Sequence, residues 1–144
     1  MKPHNIHPVS RPLGTLLTVV MLCLSLNVQA GGSVEATLEL QQRWAQIKYR
    51  LPDKQHEEAL EKLSNVANQF ASQYPKSADV LIWKGIILST YAGAKGGLGA
   101  LSLVGDAKES FEQALEIDAS ALSGSAYTSL GVLYYQVPGW PISF

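Results

Sequence analysis

The centre of the chain alternates between apolar and polar positions with the period of an α-helix. Between residues 60 and 74 apolar side chains recur at steps of three and four, while glutamates and a lysine take other faces. Pro75 disfavours helical geometry at Tyr74, so the helix is predicted to end there, with Asp53 as its N-cap. The segment 33–50 repeats the pattern, and the short turn after it predicts an antiparallel helix hairpin.

Three further helices are predicted downstream. The first is capped by Ser77 and runs to residue 91 with only two charged side chains, so we expect it to be buried on most sides. The second spans about 106–117 and has one apolar face, and the third spans about 123–135. Residues 138–141, Pro-Gly-Trp-Pro, cannot continue that helix. The predicted fold class is therefore all-α.

The N-terminal segment has the order of a secretory signal peptide. Residues 1–12 contain two basic residues and no acid, residues 13–26 are fourteen positions without a charge, and Val28-Gln29-Ala30 is a small-residue cleavage site. A membrane anchor is the competing interpretation, but the apolar run is shorter than the roughly 20 residues that a spanning helix needs. A lipoprotein signal, which this segment partly resembles, has a small residue before the cysteine that becomes lipidated. Cys23 follows Leu22 instead, so we assign Cys23 to the apolar region that is removed with the signal peptide. We expect residues 1–30 to be removed and the protein to be exported, to a bacterial periplasm, with no membrane span remaining.

Composition excludes several classes of function for the mature chain. Of the eleven Lys and Arg residues, removal of Lys2 and Arg11 leaves nine against twelve acids, so the net charge of −3 gives no electrostatic case for nucleic acid or an anionic membrane. No cysteine remains, which excludes disulfides and thiolate chemistry. His56 is the one remaining histidine, so a catalytic triad or a zinc site has little material. We expect a protein that is not an enzyme and has no cofactor or metal.

The helix pattern resembles the tetratricopeptide repeat, a helix–turn–helix unit of about 34 residues. The positions that carry the resemblance are the small, aromatic and small residues of one second helix and the crossing glycines of two first helices. The resemblance implies an array of about two and a half antiparallel helix pairs: a degenerate pair over 31–75, a repeat-like pair over 76–119, and the first helix of an incomplete pair over 120–144. The signature residues are Gly85, Ala107, Phe111, Ala114, Leu130 and Gly131.

One stretch departs from that repeat. In the family the crossing glycine and the first small residue of the second helix are about 12 positions apart, whereas Gly85 and Ala107 are 22 apart. The extra residues belong to the sequence AGAKGGLGALSLVG at 92–105, which has five glycines. Lys95 lacks the flanking residues of a Walker-type phosphate loop, and Ser102 breaks a dinucleotide fingerprint. We therefore predict a loop at 92–97 and an apolar helical extension from about Leu98.

The aromatic residues are the remaining candidates for function. Most lie on first helices of pairs, which line the concave surface in repeats of this kind, and most are expected to fill the core. The resemblance implies a non-catalytic scaffold that presents a groove to a protein or peptide partner. The alternative is a small-molecule-binding protein similar to the helical T component associated with tripartite ATP-independent periplasmic transporters. The candidate partner-binding residues are Trp83, Tyr91, Tyr127, Tyr134 and Tyr135.

Overall fold

Between residues 14 and 136 the chain is all-α, with no β-strand in that range. The structure is a computed structural model that describes the backbone of residues 14–136 and the side chains of residues 31–136. The expectations for the basic residues before 14 and for the Pro-Gly-Trp-Pro segment lie outside the described residues. The helices are α1 (Gly14–Arg50), α2 (His56–Gln73), α3 (Ala78–Lys95), α4 (Ala100–Ile117) and α5 (Ala121–Gln136), with a 3-10 turn at Asp53–Gln55.

The ends of α2 and α3 test the predicted caps. Ser77 is confirmed as the N-cap of α3, because its hydroxyl oxygen accepts a hydrogen bond from the backbone N–H of Val80 at 3.4 Å. Asp53 is not the cap of α2. It begins the 3-10 turn instead, and Gln55 occupies the cap position without a side-chain hydrogen bond. The predicted end of α2 is confirmed, since Tyr74 leaves helical geometry with φ −124° and ψ 58°.

Contacts at the helix ends show how neighbouring helices run. Gly32 of α1 lies next to Tyr74 at the end of α2, because a Cβ added to Gly32 would be 2.5 Å from the Tyr74 hydroxyl oxygen. The first turn of α2 lies near the last turn of α3, where Glu57 Oε1 and Lys95 Nζ are 3.8 Å apart. Each of these helix pairs is therefore antiparallel, as expected for helices joined by short connections.

The core lies on both sides of α3. This helix packs against each of the other helices, and most of its buried apolar residues divide between two clusters, while Ala92 joins a smaller cluster with α4 and α5. The prediction that α3 is buried on most sides is confirmed, because its apolar residues serve two separate interfaces. One cluster joins α1, α2 and α3 through Leu40, Ile47, Leu60, Leu63, Ala67, Val80, Ile87 and Tyr91, and the other joins α3, α4 and α5 through Leu81, Ile82, Leu88, Ala107, Phe111, Ala114 and Ala126.

Gly85 of α3 lies directly against the Phe111 ring of α4. A Cβ added at this position would lie 2.5 Å from Cε1 of Phe111, whose side chain is completely buried. The aromatic ring therefore occupies the space that any larger residue at 85 would need, and the close packing of the two helices depends on the glycine.

The glycine-rich stretch forms less loop and more helix than predicted. Helix α3 continues through Ala92 and Gly93 to Lys95, so the connection is residues 96–99 rather than 92–97. Gly96 and Gly97 both have φ of 63°, a left-handed conformation that glycine adopts at no steric cost. The predicted extension of α4 is confirmed, since that helix begins at Ala100, well before Asp106.

The start of α5 is irregular. Residues 122–124 have positive φ values of 46°, 58° and 74°, so the regular part of the helix follows Gly124. Before the kink, Asp118 Oδ1 accepts hydrogen bonds from the backbone N–H and the hydroxyl of Ser120, at 2.9 and 2.7 Å. Within residues 31–136, no helix combines the length and the apolar character needed to cross a membrane.

Candidate binding groove

A groove of about 1110 Å³ runs across one face of the molecule from α1 to α5. Helix α3 forms its floor, because α3 contacts both α1 and α5. The turn before α2 and the first half of α4 complete the rim. The main lining residues are Trp44 and Lys48 of α1, Ile86, Ser89, Thr90 and Gly93 of α3, Leu101 and Val104 of α4, and Thr128, Ser129, Val132, Leu133 and Gln136 of α5.

On the α1 side of the groove, hydrogen bonding and packing fix the indole ring of Trp44. Trp44 Nε1 donates a hydrogen bond to the Thr90 hydroxyl oxygen at 2.9 Å, and that hydroxyl donates to the Ile86 carbonyl at 2.7 Å. The ring also packs edge-on against Trp83, with ring centroids 5.8 Å apart. With its N–H bonded and one edge packed, Trp44 offers a positioned apolar surface rather than a free donor.

The floor of the groove combines apolar side chains with hydroxyl groups. Ser89 donates its hydroxyl proton to the Gly85 carbonyl oxygen at 2.8 Å, and the lone pairs of the Ser89 oxygen can accept a further hydrogen bond. Across the groove, Thr128 and Ser129 of α5 line the opposite wall, with Val132 one turn further along. These apolar side chains and hydroxyl groups match a ligand that has both apolar groups and amide groups able to form hydrogen bonds.

His56 lies at the corner of the groove beside the start of α2. Its Nε2 is 3.0 Å from the Leu51 carbonyl oxygen, and because a carbonyl can only accept, Nε2 carries the proton there. Its Nδ1 is 3.8 Å from the exposed carboxylate of Asp53. The imidazole therefore closes the turn between α1 and α2, a structural role that agrees with its place in the first turn of a helix.

The tip between α3 and α4 stands at the rim of the groove. Leu98 is 81% exposed at this tip and lines the groove. Below it, Lys95 Nζ donates to the Tyr91 hydroxyl at 3.3 Å and lies 3.8 Å from Glu57. The hydrogen bond that Lys95 donates to the Tyr91 hydroxyl oxygen, with attraction to Glu57 as a smaller cause, raises the pKa of Lys95. These contacts connect the last turn of α3 to α2.

The five predicted partner-binding residues do not meet in the groove. Trp83 is half-buried behind Trp44, and Tyr91 is 4% exposed with its hydroxyl bonded to Lys95. The other three are on exposed parts of α5, and none of the five is among the groove-lining residues that the structure describes. The exposed α5 tyrosines are Tyr127 at 60%, Tyr134 at 51% and Tyr135 at 91%.

Sequence reasoning missed the short side chains of the groove. Residues 86, 89, 90 and 93 of α3 are one, three or four positions apart, as are residues 128, 129, 132 and 136 of α5. Within each helix these residues lie on one face, and neither set contains a charged residue. That periodicity was the available signal, but aromatic residues drew the prediction because they dominate many interfaces.

Metal chemistry has no cluster of ligands in the described part of the chain. Among residues 31–136, no group of three or more His, Cys, Asp or Glu side chains is arranged to hold a metal ion.

No protein-family model, curated protein or solved structure matches the chain. The geometry of the groove therefore carries the functional proposal.

Proposed function

We propose that the chain is an exported tetratricopeptide-like scaffold that binds a peptide or a segment of a partner protein in the groove between α1 and α5. The observation that carries this proposal is the origin of the walls and floor. They come mainly from α1, α3 and α5, with further lining residues from α4 and from the 96–99 connection. Helices α1, α3 and α5 would be the first members of successive pairs, and in the family first helices line the concave surface.

Packing at the helix crossing supports the repeat assignment. Gly85 of α3 admits the ring of Phe111 from α4, and Ala107 and Ala114 are buried on either side of that ring. These residues match the crossing glycine and the small, aromatic, small signature of the repeat. The short connection at 96–99 then joins the two helices of one pair, and the residues in excess of a standard unit lengthen the end of α3 and the start of α4.

The shape of the groove favours a peptide as the occupant. Val132 is 50% exposed and Leu98 is 81% exposed, so the groove is open along its α5 wall and at its tip. An extended or helical segment can enter from the side and bury its apolar residues against Trp44 and Val132. Repeat arrays typically use such elongated concave surfaces for protein partners.

A small apolar molecule is the second candidate ligand. Leu101, Val104 and Leu133 form an apolar inner end of the groove, and a volume of about 1110 Å³ is close to the upper limit of ligand pockets, about 1,000 Å³. This would be the role implied by the resemblance to the transporter-associated T component. A bound organic molecule of one mass in the purified protein, detected by native mass spectrometry, would favour it over peptide binding.

Peptide selection on the purified chain tests the main proposal. Peptides selected from a display library on the wild-type protein should lose affinity about tenfold or more with Val132→Arg, because the substitution places a charged side chain in the apolar wall. Tyr135→Arg is the matched control, since it introduces the same residue at a position of the same helix that is 91% exposed and outside the groove. Selected peptides that respond equally to both variants would contradict groove binding.

Export is a separate part of the proposal, supported by the charge and hydropathy order of residues 1–30. Protein recovered from the periplasm of an expressing bacterium should have Gly31 as its first residue. An intact N-terminus on protein that stays in the cytoplasm would refute this part without affecting the groove.

A further inference from the structure

A second, smaller pocket lies between α2, α3 and α4. Its volume is about 220 Å³, which is below the range of about 300–1,000 Å³ that is typical of pockets for drug-sized ligands. Its polar lining groups are an ammonium group, two primary amides and a hydroxyl, which belong to Lys84, Asn68, Gln113 and Ser72. Its apolar lining groups are the side chains of Ala71, Pro75 and Leu81. We call it the lysine pocket.

The lysine pocket is separate from the groove. The two have no lining residue in common among the described residues. At 100° per residue, Lys84 lies about 120–180° around α3 from the α3 residues that line the groove. Gln136, the last described residue of the chain, lines the groove and not this pocket. Binding in the lysine pocket is therefore a second interaction, independent of the proposed peptide.

Lys84 is a half-buried cation without an acidic partner. The other half-buried basic residues in the described range, Arg43 and Lys108, each pair with a glutamate, at 2.9 and 2.8 Å. Within residues 31–136, no carboxylate oxygen lies within 4 Å of the Lys84 ammonium nitrogen. Residues 1–30 and 137–144 contain no Asp or Glu, so they have no side-chain carboxylate to offer. The charge of Lys84 is therefore partly removed from water and uncompensated.

The helical pattern favours an apolar residue at position 84. In the repeat register predicted from the sequence, Lys84 corresponds to Leu130, because each directly precedes a crossing glycine. Leu130 packs against the core cluster that contains Phe111 and Ala126. An ammonium group at the corresponding position of α3 loses hydration without a gain in core packing. Packing between the helices therefore does not explain the lysine.

The hydrogen-bond donors around Lys84 match an anion with a single charge. The ammonium group has three protons to donate and the Asn68 amide has two. Gln113 Nε2 donates one of its protons to Glu109 Oε1 at 3.0 Å and keeps the other. Because the Glu109 carboxylate lies beside the pocket and Lys84 supplies only one positive charge, a dianion would be left with an uncompensated negative charge.

The apolar wall of the pocket indicates the rest of the ligand. Ala71 and Leu81 offer contact to a short alkyl group, and the small volume excludes a long one. We propose that the lysine pocket binds a small organic monocarboxylate, with its carboxylate on the Lys84 ammonium and the Asn68 amide and its alkyl group against Ala71 and Leu81.

Butyrate is a suitable probe, because it has one carboxylate and a short alkyl chain. Titration of butyrate into the purified ¹⁵N-labelled protein at pH 7 should shift the NMR signals of the Asn68 and Gln113 side-chain amides. The shifts should saturate with a dissociation constant of about 10 mM or lower. Butyramide has the same size without the charge, so it should bind about tenfold or more weakly.

Variants of the protein test whether Lys84 holds the carboxylate. Lys84→Gln should weaken butyrate binding about tenfold or more, because it removes the only cation of the pocket. Lys54→Gln is the matched control, since it removes the same charge at an exposed lysine outside the pocket, and it should leave binding unchanged.

Asn68→Asp provides a second variant on a different helix. It places a carboxylate in the pocket and should weaken butyrate binding about tenfold or more by repulsion. Asn65→Asp is its control, because Asn65 is an exposed asparagine of α2 that does not line the pocket. Backbone amide signals away from the substituted positions should match those of the wild type in all four variants.

Four results would overturn the proposal. The first is the lack of a saturable shift up to about 100 mM butyrate. The second is equal affinity for butyrate and butyramide, which would mean that the charge is not recognised. The third is butyrate binding that Lys84→Gln leaves unchanged, which would place the ligand elsewhere. The fourth is tighter binding of inorganic phosphate than of butyrate at the same signals, which would assign the pocket to a dianion.

Discussion

At the scale of single residues, the effect of a glycine depends on what lies in the direction of its absent side chain. Gly85 and Gly131 occupy matching positions in α3 and α5, yet Phe111 fills the space beside the first and no atom lies within 4 Å of the second. The sequence alone predicts both as crossing glycines. Which of them is already in use depends on the packing of a helix that is distant in sequence, and the structure provides that information.

Opposite changes in stability should follow from the same substitution at these two sites. Gly85→Ala should lower the free energy of unfolding by about 1–3 kcal/mol, because the new methyl group overlaps the Phe111 ring. Gly131→Ala should raise it by up to about 1 kcal/mol, since alanine is the better helix former and meets no neighbour. Urea denaturation of both variants measures the difference, and a change of the same sign at both sites would contradict the packing described here.

Asp118 links stability to pH. Hydrogen bonds from the hydroxyl and the backbone N–H of Ser120 lower the pKa of its carboxyl group. A group whose pKa is lowered on folding adds stability above its unfolded pKa of about 3.9 and loses that contribution as the pH falls through the folded value.

Replacement of Asp118 by Asn should therefore reduce the acid sensitivity of the protein. Asn keeps an oxygen acceptor for Ser120 but has no charge to lose, so the loss of stability between about pH 6 and pH 2 should be smaller than in the wild type. Thermal melts across this range measure it. Identical pH profiles for the two proteins would show that the carboxylate is not responsible.

At the scale of helices, the apolar period and the proline and serine boundaries were sufficient to predict five helical segments. Ser77 and Pro75 define their ends by local chemistry, so the sequence identifies them. Asp53 was assigned wrongly because a 3-10 turn intervenes before α2, and Lys95 extends α3 through contacts with Tyr91 and Glu57. The first difference is a local turn, in which the Gln55 N–H donates to the Pro52 carbonyl oxygen at 2.9 Å, and the second includes a contact with α2 that a periodic pattern does not contain.

The two caps can be compared directly. Ser77→Ala should destabilise the protein by about 0.5–2 kcal/mol, because it removes the acceptor for the Val80 N–H. Asp53→Ala should change stability by less than about 0.5 kcal/mol, since its side chain is fully exposed and does not cap α2. Chemical denaturation of the pair provides the measurement. A larger loss at Asp53 than at Ser77 would restore the original assignment.

At the scale of the whole molecule, all-α architecture is the part of the prediction that the structure shows. The position of the groove was less accessible to sequence reasoning. The tyrosines of α5 lie away from the groove, while Ser89, Thr128 and Val132 face it, because the packing of α5 on α3 sets the rotation of the helix. A pattern of apolar residues identifies the buried side of a helix. It does not show which residues next to that side face the groove and which lie away from it.

The indole N–H of Trp44 is the most direct reporter of the proposed peptide binding in the groove between α1 and α5. In a protein with ¹⁵N-labelled tryptophan, a selected peptide should shift the NMR signal of Trp44, which lines the groove and bonds to Thr90. Val132→Arg should suppress that shift, and Tyr135→Arg should preserve it. A Trp44 signal that stays in place while the peptide is bound would contradict binding in the groove.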